Sequence, residues 1–416
     1  MVLPFLGDMG MGQFLLQMVL LLAFFMLFPR LMIFQMMYKI KKSMGNLEET
    51  AKETEDTFIQ AVNPGSKEET REKLEPMKNM VVSGPTDLDP AGLVDKLEHL
   101  LDVSDDRMER YVEELSDGEM DEEEKANLSM GFKGVYGSNQ IFVLVRHFKE
   151  LIQDTKSYQL AGMLQMMLPL YEELAESQKE ATEAFANEVP IGDSVGPLVA
   201  AKFMDNEPEE VAEDVVVSHE EQGEKDVHVL KSKGPGSRLG KYGDAIEQVV
   251  EEEDIGKMIF VDAGMRFEGE DTGKVVDGVG VLMGGPGVEK FKIEEIAEEH
   301  DVPLEGFIVK QSGPQASKPM HSDIYRAVPD VVQKVEDEIM DTEDGGVLLV
   351  GVGNTVGVGN SRGSTSGIPN KLKPYWEEEE EETTSYFGLM KAFPMGGGGD
   401  FYEAENTFEL FRGLVR

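Results

Sequence analysis

GQFLLQMVLLLAFFMLF, residues 12–28, is nearly all apolar, and the run resumes after Pro29 and Arg30 through LMIFQMMY to Tyr38. Coiled as a helix, a stretch of this length crosses about 30 Å of hydrocarbon, so residues 12–38 are expected to hold the chain to a lipid bilayer. Asp8 stands before the run, whereas Arg30, Lys39, Lys41 and Lys42 flank its far side. Positive charge marks the cytoplasmic flank. That predicts a single-pass protein of the cell membrane with its C-terminal domains in the cytoplasm. A signal peptide would carry a basic n-region and a small-residue cleavage site; the sequence shows neither, so an uncleaved anchor occupying residues 1–45 with its juxtamembrane segment is expected.

Residues 46–188 read as all-helical. NLEETAKETEDTFIQAV, AGLVDKLEHLLDV, QIFVLVRHFKELIQD and YQLAGMLQMMLPLYEELAESQKEATEAFANEV place apolar residues three and four apart. Breaks fall at Asn63-Pro64-Gly65, Gly84-Pro85 and Gly137-Ser138-Asn139. Met163, Met166 and Met167, at helical spacing, read as adaptable core filler. With no metal-ligand spacing in it, this region is expected to be a spacer or assembly domain that brings copies of the chain into a homo-oligomer.

From Pro190 the texture changes. DVVVSHE, DVHVLKS, KMIFVDAG, GVGVLMGG, EGFIVKQ and GVLLVGVG read as strands, alternating with helix candidates VGPLVAAKFM, RLGKYGDAIEQVVEEE, EKFKIEEIAEEH and SDIYRAVPDVVQKVEDEIM. Such alternation predicts an α/β domain over 189–370, with a mostly parallel sheet and helices on both faces. KMIFV and VLLVGV are apolar on both faces and so belong at the centre of the sheet. Residues 371–416 form an acidic and Gly-rich tail, in which YWEEEEEETTSY reads as a solvated loop.

Charge limits the partners. The chain has 81 Asp plus Glu against 39 Lys plus Arg, a net charge of -42, yet 40% of its residues are hydrophobic. It is therefore a folded protein with an acidic coat. Self-repulsion of that size is best tolerated in concentrated salt, which reads as a halophilic, archaeal adaptation, with an ordinary acidic protein as the alternative. Nucleic acid is not an expected partner, because counterion release needs basic patches. Cysteine is absent, so disulfides, thiolate metal sites and a Cys nucleophile are excluded.

VLLVGVGNTVGVGNSRGSTSG, at 347–367, resembles a phosphate loop at first sight. Its glycines are spaced G-x-G-x-x-x-G, the following STSGIPNKLKP is a poor helix, and no G-K-[ST] is present, so no nucleotide is expected. The turn GGPGVEKFKIEE does lead into a helix, whose N-terminal amides at Gly285 and Gly287 could hold an anion. Arg266, Lys290, Lys310 and Arg362 lie near Gly-rich turns in a very acidic chain, where they serve either as plain salt bridges or as an anion pocket.

Open α/β sheets place their chemistry at the C-terminal ends of central strands. Asp262 ends KMIFVDA, Asp193 sits in PIGDSVGP before a helix, and His321 lies in KPMHSDIY where another helix opens. Two carboxylates and an imidazole suit a divalent metal ion with an open water position, as in a metal-assisted hydrolase. Singly, they are as easily a helix cap, a strand-end turn residue and a surface loop residue.

IGDSVGPLVAAKFM resembles the D-x-G-[VLF]-G-P segment of the hydrogenase maturation endopeptidases and the spore germination protease. MIFVDAGMRF resembles their second strand-end Asp, and DGVGVLMGGPGVEKFKIEEIAEEHDVPLEGFIVKQ the stretch that follows it in the spore protease. The resemblance implies a phosphorylase/hydrolase-like fold, peptidase chemistry on a protein substrate, and catalytic or metal-binding roles for Asp193, Asp262 and His321. The whole chain also resembles an archaeal family of membrane-anchored proteins with no assigned activity. One departure stands out. Those peptidases start on a strand ending G-x-G-N, but here a helical segment precedes Asp193 and VLLVGVGN comes late, at 347–354. A circularly permuted domain is expected, with Val347 to Gly353 beside KMIFVDA and Asn354 facing Asp193. Two classes of function stay open: a membrane-anchored, metal-assisted peptidase or maturation factor, and a non-catalytic membrane scaffold or ligand sensor assembling through its helical region.

Overall fold

The computed structural model describes residues 11–62, 65–82, 92–116, 118, 120–285 and 287–379. They form two compact units: one joins the described residues up to Glu53 to Gly137–Glu176, the other joins Thr54–Tyr136 to those from Ser177 onward. Five helices come first: α1 (Met11–Val62), α2 (Lys67–Met77), α3 (Leu93–Leu115), α4 (Glu122–Thr155) and α5 (Tyr158–Ala186).

α1 is a single helix of 52 residues, and it runs through Pro29, Arg30 and the 45/46 junction without a break. It is the one described helix long and apolar enough to cross a membrane, and none of its most apolar window is buried within the protein. Further along, Ile40 and Leu47 turn inward and pack with Val145, Ile152, Leu164 and Leu168. Met163 and Met166 do not fill that core: they are 51% and 77% exposed, beside exposed Met167 and Leu170 on α5. Helical spacing makes a stripe of methionines but does not say which way the stripe faces. In the other unit Phe58, Leu74, Val112, Leu128 and Phe132 form a separate apolar core. Ser66 starts α2 by accepting the Glu69 amide, with Glu68 and Glu69 favourably placed in its first turn.

The α/β part contains α6 (Val195–Ala201), β1 (Glu209–Ala212), β2 (Val215–Gln222), β3 (Lys225–Ser232), α7 (Tyr242–Glu252), β4 (Ile255–Met265), β5 (Val275–Val279), α8 (Val288–Glu299), β6 (Leu304–Gln311), α9 (Gly313–Ser317), α10 (Ser322–Asp341) and β7 (Gly346–Gly351). The last described helix, α11, covers residues 368–379. The seven strands are ordered β1-β2-β3-β7-β4-β6-β5. β3, β7, β4 and β6 run parallel, and the hairpin strands β1 and β2 and the far strand β5 close the edges antiparallel. As expected of strands apolar on both faces, β7 and β4 lie at the centre. Val347, Leu349, Ile259 and Val261 pack under α6 and α10, while Leu348, Val350, Met258 and Phe260 pack under α7 and α8. Both faces are thus covered, each buried aliphatic contributing roughly 1.5–3 kcal/mol.

Two stretches depart from the sequence reading. GVGVLMGG is not a strand: β5 ends at Val279, Gly280 turns at φ 95°, and residues 281–285 form a loop. The acidic tail begins as helix α11, whose Trp376 donates from its indole N–H to the Met320 carbonyl at 2.8 Å and stacks near Tyr325 of α10. The rest of the run of Glu, and FPMGGGGD, lie outside the described residues.

Candidate functional site

The turn before α6 is held from outside. The Gly192 amide donates to the Lys318 carbonyl at 3.0 Å and the Met320 amide to the Pro190 carbonyl at 2.8 Å. Gly192 must lack a side chain, because a Cβ would collide with the Gln315 carbonyl and the Gln311 side-chain oxygen. Gly196, one turn on, lets α6 sit directly on the Val352 and Val261 carbonyls at the ends of β7 and β4. Asp193 is thereby delivered to the C-terminal ends of the two central strands. Its Oδ2 accepts the Asn354 amide at 2.9 Å.

Asp262 reaches the same place from β4. It is 4% exposed, and its carboxylate accepts the Ala263 amide at 2.6 Å and the Gly284 amide from the loop after β5. Burial pushes the Asp262 carboxyl well above its usual range, and the nearby charge of Asp193 pushes it further, against those two amides. Burial also raises Asp193, opposed by the Asn354 amide. Two neighbouring carboxyls in desolvated surroundings are cheapest with one proton between them. Tyr242 is buried close by: its hydroxyl donates to the Gly351 carbonyl at 2.8 Å and accepts from Ser232. Burial, and then the charges of Asp262 and Asp193, raise its pKa.

The remaining candidates have contacts of their own. His321 caps α10, its Nδ1 accepting the Asp323 amide at 3.1 Å while Nε2 lies 3.6 Å from Glu379 of α11. Burial lowers its pKa. Its ring is therefore occupied by its own helix and by α11. Among the described residues one group of three His, Asp or Glu has ligand atoms within 4.8 Å of one another, and it lies elsewhere. Gly285 and Gly287 adopt φ of 92° and 86°, and Gly287 starts α8 just beyond the Gly284 amide that binds Asp262. These positive φ angles shape that loop. Arg362 pairs with Asp205 at 2.8 Å, Lys290 faces Glu294 at 3.7 Å, and Lys310 faces Glu270 at 3.5 Å, so these three are salt bridges.

Two residues of the site, and the use the fold makes of a third feature, were not visible in the sequence. Tyr242 gave no signal beyond its place in a helix pattern. Gln311, the last residue of β6, is 2% exposed, and neither its Oε1 nor its Nε2 has a hydrogen-bond partner although it abuts Gly192. The buried Nε of Arg266 is likewise unpartnered. The third is the doubled GVGN, which braces one loop at two points. Asn354 exchanges hydrogen bonds with Ser237 at 2.8–3.0 Å; Asn360 accepts the Gly234 amide at 2.8 Å and donates to the Gly234 carbonyl at 2.9 Å. Asn360 also accepts from Lys231 at 2.7 Å, a fully buried amine whose pKa burial lowers to about 7. The braced loop carries Arg238, which binds Glu123 at 2.6 Å and Asp214 at 2.9 Å.

Residues 14–188 match the N-terminal domain described as a protein of unknown function (DUF1512), and residues 191–359 match the C-terminal domain of the same description. The chain belongs to the DUF1512 family. The two domain matches meet between residues 188 and 191, just before the turn that carries Asp193, so the whole carboxyl site lies within the C-terminal DUF1512 domain. No curated protein and no solved structure matches the chain.

Proposed function

We propose that this DUF1512 chain is a membrane-anchored hydrolase of peptide or amide bonds, in which Asp193 and Asp262 act as an acid–base pair. The observation that carries this reading is the meeting of the two carboxyls where β4 passes the end of β7, both raised by burial and Asp262 also by its neighbour's charge. In this reading Asp262 holds the proton and Asp193 is the carboxylate. Asp193 takes a proton from a water whose oxygen attacks the carbonyl carbon; Asp262 gives its proton to the carbonyl oxygen. Breakdown returns a proton to the leaving nitrogen as the C–N bond breaks. The unpartnered Gln311 amide, beside the Asp193 turn, would hold the substrate's backbone amide. β7 beside β4, with the Asn354 amide on Asp193, supports a circularly permuted peptidase-like domain. Because the His321 ring is engaged by Asp323 and Glu379, the reading rests on the pair and not on a metal held by Asp193, Asp262 and His321. The Arg30, Lys39, Lys41 and Lys42 flank of α1 supports a cytoplasmic location for the site.

The test is digestion of a peptide library by the full chain in detergent, read by mass spectrometry. Wild type and His321→Gln should cleave, and Asp193→Asn or Asp262→Asn should lose about 100-fold or more. Absence of cleavage by the wild type, or cleavage unchanged in both Asp variants, would sink the proposal. A second reading, a scaffold that assembles through its helical part, is favoured by the exposed apolar row Met163, Met166, Met167 and Leu170 on α5.

A further inference from the structure

At the other end of the parallel strands stands a second set of chemically capable side chains. His219 of β2 and His228 of β3 are direct cross-strand partners. Both follow the alternation that turns Val215, Val217 and Leu230 toward α7, so their rings emerge on one face of the sheet. Their Nδ1 atoms approach to 2.8 Å, with the rings nearly perpendicular at 87°. The residue at the C-terminal end of α7, Glu253, brings a carboxylate oxygen in, and the three ligand atoms lie within 4.8 Å of one another. His228 pairs in register with Leu348 near the start of β7, whereas Lys231 pairs with Gly351 at the end where Asp193 and Asp262 meet. The two sites are therefore separate.

We propose that His219, His228 and Glu253 bind one divalent first-row transition-metal ion, of the zinc, cobalt or nickel kind, with a position left open to solvent. Two imidazoles and a carboxylate match those ions, whereas magnesium and calcium prefer oxygen throughout. His219 Nε2 lies 3.2 Å from Glu209 Oε1. Donation of Nε2–H to that carboxylate leaves the lone pair on Nδ1, the tautomer a metal requires, in the carboxylate–histidine–metal arrangement. The C-terminal end of α7 adds the negative end of its dipole. Separating the two nitrogens to bracket an ion at about 2.0–2.1 Å from each requires a shift of about half an ångström. His219, whose side chain is 45% exposed, has room for it. His228 is 5% exposed and fixes the other side. Three protein ligands leave the fourth place to water, on the side where His219 meets solvent.

The competing state is a direct His–His hydrogen bond, one ring donating to the other with no ion. Cobalt(II) titration of the chelator-stripped full chain in detergent, with magnesium in excess to occupy surface carboxylates, separates the two. One Co2+ per chain should bind with the visible absorption of a four-coordinate site, and zinc should displace it. His219→Ala should weaken binding by at least 10-fold, and Glu253→Gln, which is exposed and leaves the strands intact, by a smaller factor; circular dichroism confirms that each is folded. Asp262→Asn should bind cobalt as the wild type does, so failure here and failure of the carboxyl pair are distinguishable. No stoichiometric binding, or binding unchanged in both folded variants, overturns the proposal.

Discussion

Asp262 carries an ionisable group that the fold prefers to keep neutral. In the unfolded chain its carboxyl ionises near pH 3.9; in the folded protein burial and Asp193 move that well upward. Above about pH 4 the unfolded state therefore binds fewer protons than the native one, and stability falls with rising pH until the folded group also ionises. Asp262→Asn should accordingly raise the melting temperature at neutral pH, and the gap should close toward pH 4. A gap independent of pH would show that the carboxyl is not displaced. Asn360 makes a different prediction. Its removal in Asn360→Ala leaves the buried Lys231 amine with the Ser232 carbonyl and strips Gly234 of its side-chain partner. A loss of about 1–3 kcal/mol should follow in thermal denaturation. Asp193, Asp262 and Asn354 could be picked from the sequence because strand ends and a displaced GVGN point to one end of the sheet. Tyr242, Gln311 and Lys231 could not, since nothing local records which distant segment a residue will meet in the fold.

Among the elements, α6 positions the site most closely, and its contact with the sheet depends on one missing side chain. Gly196→Ala would drive a methyl into the Val352 and Val261 carbonyls. Overpacking of this kind costs about 1–3 kcal/mol, and it should lift Asp193 away from Asn354, so stability and hydrolysis should fall together. A fully active, equally stable Gly196→Ala protein would contradict this packing. β4 and β7 were legible as central strands because Ile259 and Val261 face one way while Met258 and Phe260 face the other. β1, four residues with two exposed glutamates, has no such pattern. α5 shows the limit of periodicity: the spacing of Met163 and Met166 is the same whether the stripe is buried or outward. Paired Met163→Glu and Met166→Glu substitutions should leave the fold within about 0.5 kcal/mol and lower the measured molar mass if copies assemble through this face. An unchanged molar mass would remove the assembly role.

For the whole molecule, a net charge of -42 opposes compaction. Salt screens that repulsion to about 3 Å at 1 M, so the melting temperature should rise steadily from dilute to molar potassium chloride; a flat response would refute a halophilic adaptation. The long apolar helix, the helical region and the α/β sheet were all legible, because apolar length, helical spacing and strand–helix alternation are properties of the chain itself. The continuity of α1 through Val62 was not, since polar residues beyond the apolar run read equally well as a new helix. The proton that the proposed mechanism places on Asp262 is tested directly by isotope-edited infrared spectroscopy of aspartate-labelled full chain at neutral pH. A protonated-carboxyl C=O band in the wild type that disappears in Asp262→Asn is the predicted result; carboxylate bands alone, down to acid pH, would contradict it.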